Sequence, residues 1–319
     1  MRSARAGEAH SVNQTGAGAA KPRTGTRAVW VALGVVYVAW GSTYLAIRVM
    51  DRTIPPLLGA GVRFLAAGAL LAVGLTLWRR RLPRIAAREL ASLALVSVLL
   101  LVAGNGGVSY AERHVASGLA ALLVASVPLW ILVIRILAGE APRRATLAGL
   151  AIGFVGVGLL VLRGGAEQHV SIAQMLVVVA ASACWALGSW LSGRLPMPAD
   201  ATAGTAIEML IGGVVLIAIG PLSGERWSAL SEHASPDSLA AVAYLVVFGS
   251  ILAFTAYVWL LAHAPISQVS TYAYVNPIVA VALGALVLGE PITAVTLLGG
   301  AIIVLAVAVV IRSEVSRRP

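Results

Sequence analysis

The sequence predicts an all-α polytopic membrane protein, with ten transmembrane helices in two inverted five-helix repeats and both termini cytoplasmic. Three observations carry this prediction. Apolar residues make up 59% of the chain and charged residues 11%, whereas a soluble domain is roughly one quarter charged. The apolar residues come in blocks of about twenty, which cross ~30 Å of hydrocarbon at ~1.5 Å per residue. Those blocks also repeat in order along the chain.

Residues 1–27 are polar, basic and rich in Gly and Ala, with no apolar core before Ala28. They read as a disordered cytoplasmic tail and not as a cleaved signal peptide. The first block, 28–50, is too long for a signal h-region and stays as a span. Blocks at 56–78, 91–110, 116–137 and 145–162 complete a first unit, 28–162. The second unit, 171–312, takes the blocks 171–192, 202–221, 239–262, 266–288 and 293–312, and 313–319 is a short cytoplasmic tail. Connections are short except after Pro221, where the loop carries Glu225, Arg226, Trp227, Glu232, His233 and Asp237. The 33 glycines suit close helix packing in lipid. Gly149, Gly153 and Gly156 share one face of the fifth block, which meets either a neighbouring helix or a second protomer, so monomer and homodimer both stay open.

The net charge of +10 follows the positive-inside pattern and not that of a nucleic-acid surface. With the N-terminus in the cytoplasm, sixteen Lys/Arg fall on the inner side against five (Arg48, Arg52, Arg113, Arg163, Arg226) on the outer side. Trp30 and Trp78 then lie at the inner interface as belt residues.

The halves correspond piece by piece. Val127-Pro128 matches Asn276-Pro277, Gly139-Glu140 matches Gly289-Glu290, and Thr146-Leu147 with Gly149 matches Thr296-Leu297 with Gly299. Trp40 followed by Gly41-Ser42 is echoed by Trp185 followed by Gly188-Ser189, and His114 falls opposite His263. Preserved order is the evidence for duplication. An odd number of helices per unit sends the second copy in from the opposite side, an architecture that recurs in secondary transporters with a site between the halves.

The ordered set Trp40-Gly41-Ser42, Arg63-Phe64, the run from Ser117 to Leu123, Pro128-Leu129, Gly139-Glu140, Trp185-Ala186, Asn276-Pro277 and Gly289-Glu290 resembles the ten-helix drug/metabolite transporters with tandem EamA domains. The resemblance extends from Ala28 to Arg312. It implies a transporter of the bacterial inner membrane, often an exporter of amino acids or other metabolites, without naming the solute.

Charges at bilayer depth mark candidate sites because they are costly there unless paired or hydrated. Arg63 and Glu208 occupy equivalent positions, in Gly59-x-x-x-Arg63-Phe64 and Gly204-x-x-x-Glu208-Met209. Each sits roughly 5 Å from the midplane, on opposite sides, by helical rise. The expectation is that both line a central aqueous cavity. Arg63 would hold an anionic group, and Glu208 a substrate amine or an exchanging proton. Snorkelling for Arg63, and hydration from the cytoplasm for Glu208, are the bland alternatives.

Gln268, Thr271, Tyr272 and Asn276 share one helical face beside Pro277, which leaves the Ala273 carbonyl without its donor. That stripe suits cavity lining and gating, or simple interhelical bonding, and Pro128 with Ser126 is its counterpart. Trp40, Tyr44 and Trp185, with Asn105, Tyr110 and Tyr257, form either an amphipathic cavity wall or ordinary packing. Arg135 near a span end should snorkel, and Glu112 with Arg113 should be solvated in a loop. Glu140 and Glu290, each opening a helix after a glycine, are expected to cap free N–H groups.

An intramembrane enzyme should show a reactive constellation, and the sequence has none. The histidines lie in the tail, loops or span ends, Cys184 is the lone cysteine, and there is no phosphate-loop sequence. No cofactor or metal is expected. The expected partners are a small solute, the lipid bilayer and protons as a coupling ion, with no nucleic acid. Export by alternating access is the leading function; uptake, or a non-transporting receptor or structural role, are the alternatives.

Overall fold

The computed structural model describes residues 26–79, 85–164, 169–264, 269 and 271–315, and every regular element among them is a helix. The first two are α1, Thr26–Met50, and α2, Pro56–Arg79. Next come α3, Ala87–Glu112; α4, Ser117–Leu137; α5, Arg144–Gly164; α6, Ile172–Ser192; and α7, Ala201–Leu222. A short turn, Ser228–Glu232, interrupts the long loop. Helix α8 runs without a break through Pro236–Tyr244, Leu245–Leu252 and Ala253–His263. Helices α9, Tyr272–Leu288, and α10, Ala294–Val315, close the chain. Eight helices, α1 to α8, are long and apolar enough to cross a membrane; α9 and the apolar part of α10, Ala294–Val310, are shorter.

Local chemistry sets the ends. Pro56 opens α2, where a missing N–H costs nothing. Asp200 accepts from Thr202 and Ala203 N–H to cap α7, and Gly289 ends α9 in the left-handed region at φ 67°. Two carboxylates cap helices far away in sequence. Glu225 accepts from Leu57 and Leu58 N–H at 3.0 and 2.9 Å, at the start of α2. Glu290 accepts from Ser117 N–H at 2.9 Å, Gly118 N–H at 3.2 Å and Ser117 Oγ at 2.9 Å, at the start of α4. Glu290 therefore caps, but the helix it caps is α4 and not the α10 that follows it.

The equivalent Glu140 holds two arginines. It takes Arg135 Nε and Nη2 at 2.7 and 2.6 Å, with Arg194 at 3.6 Å. Arg135 thus reaches past the end of its own helix to a neighbouring carboxylate.

Three stretches widen into π turns: Val98–Gly106 in α3, Leu160–Gly164 in α5 and Leu245–Leu252 in α8. Adding the 149-residue spacing of Pro128 and Pro277 lays the first over residues 247–255, so the α3 and α8 stretches overlap. Helix α4 breaks at Ala125-Ser126, just before Pro128, whereas α9 stays helical through Pro277.

The helices pair with exchange symmetry. Helix α2 packs along α7 and α5 along α10; α1 meets α8 and α9 as α6 meets α3 and α4. Backbones approach closely at the first two crossings because side chains are missing there. A Cβ on Gly61 would lie 2.6 Å from Ile217, and one on Gly213 only 2.7 Å from the Leu65 nitrogen. The Gly149, Gly153 and Gly156 face meets α10 of the same chain, with Ala306, Ile302, Ile303 and Val310 against it.

Candidate functional site

Six helices besides α2 surround a cavity within the bundle of about 130 Å³. Helices α1, α3, α4, α6, α8 and α9 supply its walls, α2 supplies Arg63 alone, and α5, α7 and α10 supply nothing.

The wall is mostly apolar and aromatic. Trp40 is the hub, with ring centroids 5.0 Å from Tyr257, 5.3 Å from Tyr272 and 5.5 Å from Phe254. Its Nε1 donates to the Gly249 carbonyl at 3.3 Å, so the indole is oriented as well as packed. Trp185 faces the cavity from α6, with Ser182 one turn earlier. Tyr44, Asn105, Tyr272 and Asn276 bring polar atoms to this surface.

Arg63 is the charge in the wall. Its side chain is only 4% exposed, Nε donates to Ser250 Oγ at 3.1 Å, and the guanidinium lies 4.7 Å over the Phe64 ring. Among the described residues no carboxylate pairs with it, and its remaining N–H donors take no protein acceptor. The π stretch of α8 makes this seat. Ser250 supplies the acceptor, and a Cβ on Gly249 would come within 2.8 Å of Thr43 and 3.3 Å of Arg63 Nη2. Widened turns of this kind recur at functional sites. Asn276 is a second poised group, since its buried Oδ1 has no hydrogen-bond partner.

The structure brings Trp40, Tyr44, Arg63, Asn105, Pro128, Trp185, Tyr272, Asn276 and Pro277 to one cavity. Tyr257 stands behind that surface against Trp40 and Tyr272, and Thr271 bonds the Tyr37 hydroxyl instead of lining the wall. Gln268 lies outside the described residues. Tyr110 is 45% exposed on the outside of the bundle.

Glu208 departs from the expectation. It is half-buried in α7, its carbonyl accepts from Ser97 Oγ at 2.7 Å, and it is absent from the cavity wall. Helix α7 is turned so that Met209, Gly212, Gly213 and Leu216 pack inward, which leaves Glu208 on another face.

Glu112 departs in the other direction. It is fully buried, not solvated, because α3 continues to Glu112 and packs against the end of α1, where Arg48 donates to the Glu112 carbonyl; Arg113 alone of the pair is exposed. Ser250 and Asp51 are polar residues that the sequence does not single out, and Glu112 is one that it places in a solvated loop. Ser250 was visible as a lone hydroxyl inside an apolar run; the other two stand at block edges, where sequence reads as loop.

Comparison with known proteins decides what scaffold this cavity sits in. The model of the EamA-like transporter family matches residues 27–162 and again 172–312. The chain belongs to that family. It is similar to the protein named uncharacterized inner membrane transporter YedA of Escherichia coli K12, 41% identical over 88% of this chain and 89% of that one. It is also similar to a protein of Streptantibioticus cattleyicolor named probable terminal-alkyne amino-acid exporter, 27% identical over 92% of this chain and 96% of that one. A solved crystal structure shares the fold, with a TM-score of 0.60 at 20% identity over 92% of this chain and 99% of the other. This EamA-family member is a multi-pass inner-membrane protein of a family of transporters and not of enzymes.

Proposed function

We propose that the protein is a secondary transporter that exports amino acids or related polar solutes by alternating access around the central cavity. In this reading ten helices span the membrane as two inverted halves with both termini cytoplasmic, α9 and α10 included. The observation that carries it is Arg63, a buried guanidinium that forms no ion pair among the described residues and faces the cavity. A charge held at that depth is retained for a ligand that completes it. A solute carboxylate satisfies the open N–H donors with charge-assisted bonds. The aromatic wall of Trp40, Tyr272 and Trp185 then covers the apolar part of the solute, and Asn105 and Asn276 read its polar atoms. The similarity to a protein named as an amino-acid exporter supports the solute class and the direction.

The test is a thermal-shift screen of amino acids on the purified protein, followed by flux in proteoliposomes loaded with each hit, with and without a proton gradient. Saturable efflux of a carboxylate-bearing solute is the expected result. Net uptake alone reverses the direction, and no flux of any hit removes the transport reading.

A further inference from the structure

A second polar system lies at the end of the bundle where α1, α3 and α9 finish, apart from the cavity wall. Its centre is Glu112, fully buried, with both carboxyl oxygens out of contact with solvent and without a hydrogen-bond donor. Asp51, one residue past α1, likewise has both oxygens buried and unpartnered. Neither forms an ion pair among the described residues, although Arg48 and Arg113 stand close. Two carboxyls left this way are not structural glue, because a buried charged group without partners destabilises the fold. They are also not a metal site. Among the described residues no three His, Cys, Asp or Glu side chains stand close enough to hold an ion.

Position gives the pair its meaning. Asp51 lines an open vestibule with Arg48, Arg52, Arg113, His114 and Glu290. Glu112 lies behind it, between the two spaces: Arg48, a vestibule residue, donates to its carbonyl, and Val108, one turn earlier in α3, lines the cavity. The charged groups around Glu112 are Asp51, Glu290, Arg48 and Arg63, with Tyr44 beside it. Arg63 and Tyr44 belong to the cavity wall, while Asp51 and Glu290 line the vestibule. Asp51 feels Arg113, Glu225 and Arg48.

We propose that Glu112 and Asp51 form a proton-binding pair between vestibule and cavity, and that this pair, not Glu208, couples the carrier to protons. A proton entering from the vestibule converts the Asp51 carboxylate to the acid and passes to Glu112. Release by the reverse path restores both carboxylates, with no other bond made or broken. Burial holds the Asp51 carboxyl well above the usual carboxylate range, against the pull of Arg113 and Arg48. The role in coupling rests on the transport reading above; the proton site itself does not.

Infrared difference spectroscopy on the full chain in lipid, stepped between about pH 5 and about pH 8, reads protonated carboxyls directly and needs no solute. The wild type should show a carboxylic-acid carbonyl band that titrates in this window. That band should be reduced in Glu112→Gln and in Asp51→Asn, and the part that these variants remove should persist in Glu208→Gln. Should Glu112→Gln fail to fold, the wild-type titration and Asp51→Asn still decide. No titrating band in the wild type overturns the proposal, as does a band left at full strength in the Glu112 and Asp51 variants or one lost only in Glu208→Gln. Loss of solute flux with this band intact would count against the transport reading alone.

Discussion

Equivalent positions in the two halves do different work. Arg63 and Glu208 align in sequence, yet Arg63 faces the cavity while Glu208 stands off it in α7. Glu290 and Glu140 align as well. Glu290 reaches across to the other half and caps α4, whereas Glu140 pairs with Arg135 and Arg194 near its own hairpin. The same helix pairings serve both halves, so the asymmetry is one of side chains and of helix rotation, not of topology. The two copies of each position have thus diverged, one of a pair facing the cavity and one of the other holding the halves together.

The largest expected effect lies at the first pair. A charged hydrogen bond to solute is worth about 1.5–3 kcal/mol, so Arg63→Ala should lower solute flux in proteoliposomes by roughly 10- to 100-fold. Glu208→Gln should change it by less than about threefold. Arg63→Lys should fall between them, because an ammonium cannot reproduce the two-pronged geometry. Equal losses at both positions would erase the comparison.

The second pair should separate in stability. Glu290 accepts three hydrogen bonds at the head of α4, and Glu290→Ala should cost about 1–3 kcal/mol by thermal or denaturant unfolding in detergent. Glu140 is 37% exposed, and Glu140→Ala should cost under about 1 kcal/mol. A crossing where both halves behave alike gives the control. Gly61→Leu and Gly213→Leu should destabilise to a similar degree, about 1–3 kcal/mol each, since both meet backbone or a branched side chain at close range.

The smallest effect concerns pH. Asp51 has its folded carboxyl raised above the unfolded value, so its acid form is favoured by the fold. That contribution is present below the unfolded value of about 4 and is lost as pH rises through the folded one. Asp51→Asn should therefore gain stability relative to wild type as pH rises from about 5 to about 8, read as a flatter melting temperature against pH. A steeper dependence in the variant would reverse the sign.

Much of the bundle was legible because hydrophobic blocks and repeats are properties of sequence. The blocks 28–50, 56–78, 171–192 and 202–221 differ from α1, α2, α6 and α7 by three residues or fewer at each end. The cavity wall was legible where polar or aromatic residues interrupt those blocks, as at Trp40, Arg63, Asn105, Trp185 and Asn276. Helix rotation was not legible, and this is why Glu208 was placed in the wall: α7 is apolar on most faces, so no periodicity tells which one looks inward. The π stretches also left no pattern, since runs such as Leu245–Leu252 are apolar at any pitch. Charge at a block edge signals solvent, so Glu112 reads as loop; α3 runs two residues past the block and buries it instead.

The central claim is that a solute sits on Arg63, and equilibrium binding tests it without the complications of transport. The labelled solute found by the screen should bind saturably to purified wild type and to Glu208→Gln with similar affinity, and Arg63→Ala should lose that binding by at least about tenfold while remaining folded. Undiminished binding to folded Arg63→Ala would contradict the account.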